Sequence, residues 1–343
     1  MVNLPDRERR GLVQDVVTEH DQAMASILLG IDIGGTSTVA IAMNGDGGVI
    51  GEGGAGAANP HTVALSDVTA ELHAAVTATL TGIDAGDVVA GVIGMAGAAA
   101  ASRPEVAAAI SEVWPRLGMA CPVEIVGDAV IAYAAGSAHP EGRVLIAGTG
   151  AIAARITDWQ VGRTVDGLGW LLGDEGSGFW LGRAAIRHTV DAMAAGRPAG
   201  PLGAVIAQHF GTDDFEQIVA ECYRMPPAEI AGFAETVCGL ADAGDRTAAR
   251  LAREAADLLA ASLSKLDGPA DSAVVLAGGL LAGPTPVRAA LLERLAAGPH
   301  GPVSVAADPA VGAAWLAGLR AGCWPSAGID EVHRRVVGAT PVA

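Results

Sequence analysis

Aromatic side chains are scarce, at 3% of 343 residues, and charged residues make up only 17%. With so few large rings the core must be built from aliphatic and small side chains. Ala and Gly dominate, which favours close packing of helices on sheets. Basic residues are also few: 21 Lys and Arg against 38 Asp and Glu give a net charge of −17. That balance argues against a nucleic-acid partner or an anionic membrane surface, since both require a cationic footprint. Cys121, Cys222, Cys238 and Cys323 lie far apart with no CxxC pair. Neither a zinc or iron–sulfur site nor a disulfide framework is therefore expected. No apolar run reaches membrane-spanning length, and the N-terminus lacks the basic-then-apolar order of a signal peptide. A cytoplasmic location is the expectation.

What is present is a chain that is 51% hydrophobic, long for one core and comfortable for two domains. The anchor is Leu28–Met43, LLGIDIGGTSTVAIAM. An apolar run enters Gly30-Ile31-Asp32-Ile33, then Gly34-Gly35-Thr36-Ser37-Thr38, then a second apolar run. Strand, glycine turn and strand read as a hairpin. Gly34, Gly35 and Thr36 form a candidate phosphate turn, with backbone N–H groups open to an anion and a hydroxyl as added donor. Asp32, just before the turn, could hold Mg²⁺ against that anion. An ordinary tight hairpin with a surface Asp is the plainer alternative.

The first 24 residues mix both charges and read as a mobile extension or loose helix, with Met24 a candidate true start. Val49 to Gly54 reads as a third strand. Asn59-Pro60 then opens a helix to about Leu80, Asn59 serving equally well as its cap or as a ligand contact. Val88 to Met95 is a strand running into Ala96-Gly97, and a helix follows from about Pro104 to Leu117. Val123 to Val126 is a strand ending at Gly127-Asp128, with a helix from Ala129 to Ala135. The plan restarts at Val144 to Gly150 and Ala151 to Ile156, a repeat that predicts two related α/β domains. Helices dominate from Ser177 to Lys265. Ala273 to Ala277 is a strand ending in Gly278-Gly279, Pro286 to Ala296 a helix, Val303 to Ala306 a strand, and Val311 to Ala321 a small-residue helix. The expected bounds are an extension over 1–24, a first domain over 25–135 with a returning helix at about 308–322, a second domain over 136–307, and a tail over 323–343.

The chemistry-bearing residues stand at strand ends, where open α/β sheets place ligands. The first glycine turn and Gly148-Thr149-Gly150 could grip a polyphosphate, and Gly278-Gly279 the nucleoside end. Asp128, at a strand end and helix start, reads either as a base taking a proton from an attacking hydroxyl or as a helix cap. Gly167 to Gly178, GLGWLLGDEGSG, sets Asp174 in a glycine loop after a buried Leu171-Leu172 pair, suited to a polyhydroxyl ligand. Asp174 can accept two sugar hydroxyl bonds, whereas a plain helix entry explains Glu175 and Ser177 but not so many glycines.

GIDIGGTST, GDA after a strand, IAGTG and GDEGSGFWLG resemble the BadF/BadG/BcrA/BcrD group of the sugar kinase/Hsp70/actin superfamily, and within it the N-acetylglucosamine kinases. The likeness runs from about Ile27 to Gly322. It implies two actin-like (ribonuclease H-like) domains with ATP and Mg²⁺ in the cleft. By motif, Asp32 assists Mg²⁺ through water, Gly34 to Thr36 and Gly148 to Gly150 hold phosphates, and Gly278-Gly279 meet the nucleotide. Asp128 is the implied base on a sugar 6-hydroxyl, and Asn59, Ala96, Gly97, Gly167 and Asp174 the implied sugar contacts. The implied activity is phosphorylation of N-acetylglucosamine, with glucosamine kinase or a partner-activating ATPase as alternatives and a homodimer left open.

Three departures qualify the likeness. Many relatives carry Trp where Leu168 stands, so an aromatic platform is absent or displaced to Trp170. Asp166 replaces a common glycine, and is expected either to face solvent or to attract the ammonium of glucosamine. The cluster cysteines of the iron–sulfur dehydratase activators are missing, and the scattered cysteines also disfavour the zinc-binding repressor branch.

Overall fold

The computed structural model describes residues 26–60, 63–96, 103–269, 271–298 and 300–342. The N-terminal extension and Gly97 lie outside them. The chain divides into two compact units. One holds the described residues up to His139 with Ala307–Thr340, and the other holds Pro140–Ala306 with the residues from Pro341.

In the first unit β1 (Ile27–Ile33), β2 (Thr38–Asn44), β3 (Val49–Ala55), β4 (Val88–Met95) and β5 (Val123–Gly127) form one sheet in the order β3-β2-β1-β4-β5. β1, β4 and β5 run parallel, while β2 and β3 run antiparallel. The central strand ILLGIDI is almost entirely buried, which is why it is apolar on both faces rather than alternating. Helix α1 (Leu65–Thr79) turns Val68, Leu72, Ala75 and Val76 into the core. Helix α2 is Pro104–Arg116 and α3 is Asp128–Ala134. The helix expected from Asn59 instead begins at Leu65. Val63 N–H donates to the Asn59 carbonyl at 3.1 Å, so Asn59 belongs to a turn before the helix and does not cap it.

The second unit repeats the plan. Strands β6 (Gly142–Ala147), β7 (Ala151–Thr157), β8 (Gln160–Asp166), β9 (Val274–Ala277), β10 (Val303–Val305) and β11 (Thr340–Val342) are ordered β11-β10-β9-β6-β7-β8. β6, β9 and β10 are parallel, and β7 and β8 antiparallel, as in the first sheet. Helices α4 (Gly178–Ala194), α5 (Gly200–Phe210), α6 (Phe215–Cys222), α7 (Pro227–Asp242), α8 (Arg246–Ser264), the short α9 (Gly279–Ala282) and α10 (Pro286–Ala296) complete the unit. Two ribonuclease H-like units of this kind make the actin-like fold. β8 has no counterpart among the expected strands, because five of its seven residues are polar or glycine and much of it is exposed.

Helix α11 (Pro309–Ala321) returns to the first unit and lies directly on β1. A Cβ at Gly30 would overlap the Ala310 carbonyl and the Ala314 amide, so only glycine admits this approach. The small residues of α11 and the paucity of aromatics have one cause: helix backbone packs nearly onto strand backbone.

The segment after Gly322 is not a bare tail. Helix α12 (Ile329–Val337) buries His333, Val336 and Val337. His333 donates from Nε2 to the Ala134 carbonyl at 2.8 Å and meets the Trp315 ring edge-on. Burial pushes its pKa below the usual value, outweighing the opposing effects of the Ala134 carbonyl bond and of Asp330. The unfolded chain therefore takes up a proton first, and His333 subtracts stability as pH falls below about 6.5. Thermal melts should show this acid-side loss reduced in His333→Gln; parallel pH profiles would contradict it.

Candidate active site

The register of the first sheet gathers the carboxylates. Asp32 pairs with Gly94 of β4, and Gly94 with Val126 of β5, so Asp32 and Asp128 emerge at the same edge, the C-terminal ends of the parallel strands. Asp308, N-cap of α11, faces the same group: its Oδ1 accepts the Ala310 N–H at 2.8 Å. Burial, then the charges of Asp128 and Asp308, raise the Asp32 carboxyl to about 7. The Asp128 carboxyl is also raised, chiefly by burial, against the counter-effect of the Ala129 N–H that donates to its Oδ1 at 2.8 Å.

The glycine turn lies beside them. Gly34 N–H donates to the Ser37 carbonyl at 2.9 Å, and Gly35, Thr36 and Ser37 stand exposed. Nothing lies within 4 Å of a Cβ built on Gly35, so the fold itself does not demand glycine there. Ala58 N–H donates to the Gly34 carbonyl at 3.3 Å, and Ala96 N–H to the Ile33 carbonyl at 3.0 Å. These bonds bring the Asn59 and Ala96 segments to the same edge.

Buried carboxylate oxygens, with the charges of Asp128 and Asp308 adding to the burial that raises Asp32, suit a divalent cation. Among the described residues no group of three His, Cys, Asp or Glu side chains could cage an ion. Mg²⁺ is the fitting ion, because it commonly takes one or two carboxylates and completes its shell with water and phosphate.

In the second unit Gly148, Thr149, Gly178, Ala231, Glu235 and Gly279 line a cavity of about 500 Å³. Gly278 is at φ +84°, and a Cβ there would overlap the Ala147 backbone, so this glycine serves the fold. Gly279 has open space around a built Cβ and is free to face a ligand. The α7 wall of this cavity escaped sequence reasoning, although Ala228, Ala231, Gly232 and Cys238 share one helical face of small residues, with Glu235 among them.

The glycine-rich loop differs from expectation. Leu171 and Leu172 are 73% and 77% exposed rather than buried, and Leu168 is 67% exposed. Trp170 is half exposed, its ring tilted against Phe179 with centroids 5.5 Å apart. Asp174, at φ +57°, accepts the Ala151 N–H on Oδ1 at 3.2 Å, and burial raises its carboxyl above the usual range. Asp166 does not face an open pocket: both its oxygens accept backbone N–H groups. Asp308 was also missed, although Asp308-Pro309 after a short strand follows the same grammar as Asp128 after β5.

Among known proteins, the N-acetylmuramic acid/N-acetylglucosamine kinase of Clostridium acetobutylicum is 30% identical over 164 residues. That match covers 47% of this chain, which spans about half (53%) of the relative's length. The glucosamine kinase GspK of Vibrio cholerae is 29% identical over 231 residues, 66% of this chain and 76% of that protein. A crystal structure of a provisionally assigned N-acetylglucosamine kinase from Chromobacterium violaceum superposes with a TM-score of 0.69 at 25% identity, over 85% of this chain and 99% of that one. The turns and carboxylates described above fall within residues 29–317, the stretch matched by one family model, and the chain belongs to the BadF/BadG/BcrA/BcrD ATPase family.

Proposed function

We propose that this protein is an ATP-dependent amino-sugar kinase that transfers the γ-phosphoryl group of ATP to the 6-hydroxyl of N-acetylglucosamine. The observation that carries the reading is Asp128, a carboxylate with burial-raised basicity at the ligand edge of the first sheet beside an open glycine turn. Asp128 takes the proton of the sugar hydroxyl as that oxygen attacks phosphorus and the bond to the ADP oxygen breaks. Backbone N–H groups of Gly35 and Thr36 bind the terminal phosphates, while Gly34 shapes the turn with its own N–H on the Ser37 carbonyl. Mg²⁺, when bound, supplies charge neutralisation along the phosphates. Asp32 would hold it through water, and Asp308 adds negative charge beside Asp32.

In the second unit, Gly148 to Gly150 take phosphate oxygens, the cavity beside Gly278-Gly279 takes the nucleoside, and Asp174 binds sugar hydroxyls with Gly167 leaving room. Asn59 and Ala96, with Gly97 outside the described residues, complete the sugar contacts. The names of the relatives support an amino sugar, and glucosamine is the second choice because one of them is a glucosamine kinase.

An ADP-release assay across N-acetylglucosamine, glucosamine, N-acetylmuramic acid and glucose tests the reading. Strict dependence on an amino sugar, with N-acetylglucosamine best, is expected. ATP turnover unaffected by any sugar would replace it with a partner-activating ATPase.

A further inference from the structure

The chain between β8 and α4 is held in an unusual way. Residues 167–172 are exposed, so hydrophobic burial does little to order them. Inside the loop, the Leu172 and Gly173 N–H groups donate to the Gly169 carbonyl at 3.1 and 2.8 Å and the Trp170 ring rests on Phe179; the ends supply the rest of the order. At one end Asp166, at φ +66°, accepts the Asp174 N–H on Oδ1 at 2.7 Å and the Glu175 N–H on Oδ2 at 2.8 Å. One carboxylate thus closes the loop across its neck with two charge-assisted bonds.

The closed loop is then joined to the Gly148–Gly150 turn. Asp174 Oδ1 accepts the Ala151 N–H at 3.2 Å, and Gly167 N–H donates to the Ala151 carbonyl at 2.9 Å. The first N–H groups of α4, Gly178 and Phe179, donate to the carbonyls of Gly148 and Thr149 at 2.8 and 3.1 Å. A Cβ on Gly150 would come within 2.8 Å of Asp174 Oδ2, so loop and turn touch without a gap. Shifting Asp174 must therefore shift the turn.

We infer that Asp166 is a positioning residue that locks the Asp174 loop to the Gly148–Gly150 turn, so that the affinities for sugar and for nucleotide depend on one another. This rests on the kinase reading, in which Asp174 meets sugar and the turn meets phosphate. Asp166 touches neither ligand. Each of its oxygens is engaged by a backbone N–H, which aims the carboxylate at the loop neck.

Two substitutions separate the possibilities. Asp166→Gly adopts the positive φ without strain but deletes both acceptors. Asp166→Asn tolerates the same φ and keeps one carbonyl acceptor, turning an NH₂ toward the other donor. Deuterium uptake by peptides covering 167–177 is measured first. It should rise on the order of 10-fold in rate for Asp166→Gly and less for Asp166→Asn, with Tm nearly unchanged.

In kinetics with both substrates varied, Asp166→Gly should raise KM for N-acetylglucosamine and for ATP by roughly 10-fold each, while kcat moves less, as misplacement of binding groups does. The gain in affinity for a non-hydrolysable ATP analogue on adding sugar should shrink by a similar factor. Unchanged uptake and unchanged KM values would overturn the proposal. So would a KM change confined to glucosamine, which would restore the charge-attraction reading, or a lower Tm with unaltered KM values, which would leave only a structural role. If the wild type phosphorylates no sugar, the kinase reading fails, and deuterium uptake with analogue binding still decides whether Asp166 locks the turn.

Discussion

Asp128→Asn should lower kcat by roughly 10²–10⁴-fold while KM for the sugar changes little. The substitution is close to isosteric. Its amide oxygen can still accept the Ala129 N–H that Asp128 Oδ1 now takes at 2.8 Å, so the start of α3 keeps its bond. What disappears is the ability to hold a proton. Burial raises the basicity of this carboxylate, which brings it nearer to the pKa useful for general-base work near neutrality. Steady-state kinetics, with a thermal melt to verify folding, make the measurement. A near-normal kcat in a folded variant would remove Asp128 from the mechanism and leave it as the opening residue of α3.

Asp32→Asn should raise stability, and increasingly so toward alkaline pH. The Asp32 carboxyl moves from the usual 3.8 to about 7 on folding. Between these values the folded state holds a proton that the unfolded chain has released, so stability falls as pH rises through the window. Above about pH 7 the cost is complete, at most on the order of 4 kcal/mol. The Asn side chain imitates the protonated form and avoids that cost. Melts from pH 5 to 8 should show wild type and variant diverging with pH, and millimolar Mg²⁺ should narrow the gap by stabilising the wild type. A gap that does not vary with pH would mean that like-charge crowding and burial are not what raises this group. The same variant should lose activity, since the residue that costs stability is the one assigned to the cation.

Much of the fold was legible because its signals are local. The apolar runs of β1, β2, β4 and β6 and the glycine turns between them are visible within windows of ten residues, and the repeat disclosed two similar units. β8 was not legible, since an exposed edge strand carries little apolar pattern. Its partner in the repeat, β3, is similarly exposed, and following the repeat strand by strand would have found it. The start of α1 was misplaced because Asn-Pro marks a turn as readily as a helix entry. Helix α12 was taken for tail because its burial depends on Trp315 and Ala134, distant in sequence.

By itself the sequence determined the chemical types available: glycine turns for anions, Asp32 and Asp128 at strand ends, and an acidic surface unsuited to polyanions except through backbone and metal. These follow from short-range pattern, where each residue's neighbours in the chain decide its setting. Tertiary structure alone decided which carboxylates crowd together and which way each points. The return of the helix at about 308–322 was expected, but only its packing on β1 shows that Asp308 at its start joins Asp32 and Asp128. Asp166, partly exposed, turns to the loop neck because two N–H groups there need an acceptor. Side-chain direction is set by whichever unsatisfied donors the fold brings near, and those donors come from residues that no local window contains.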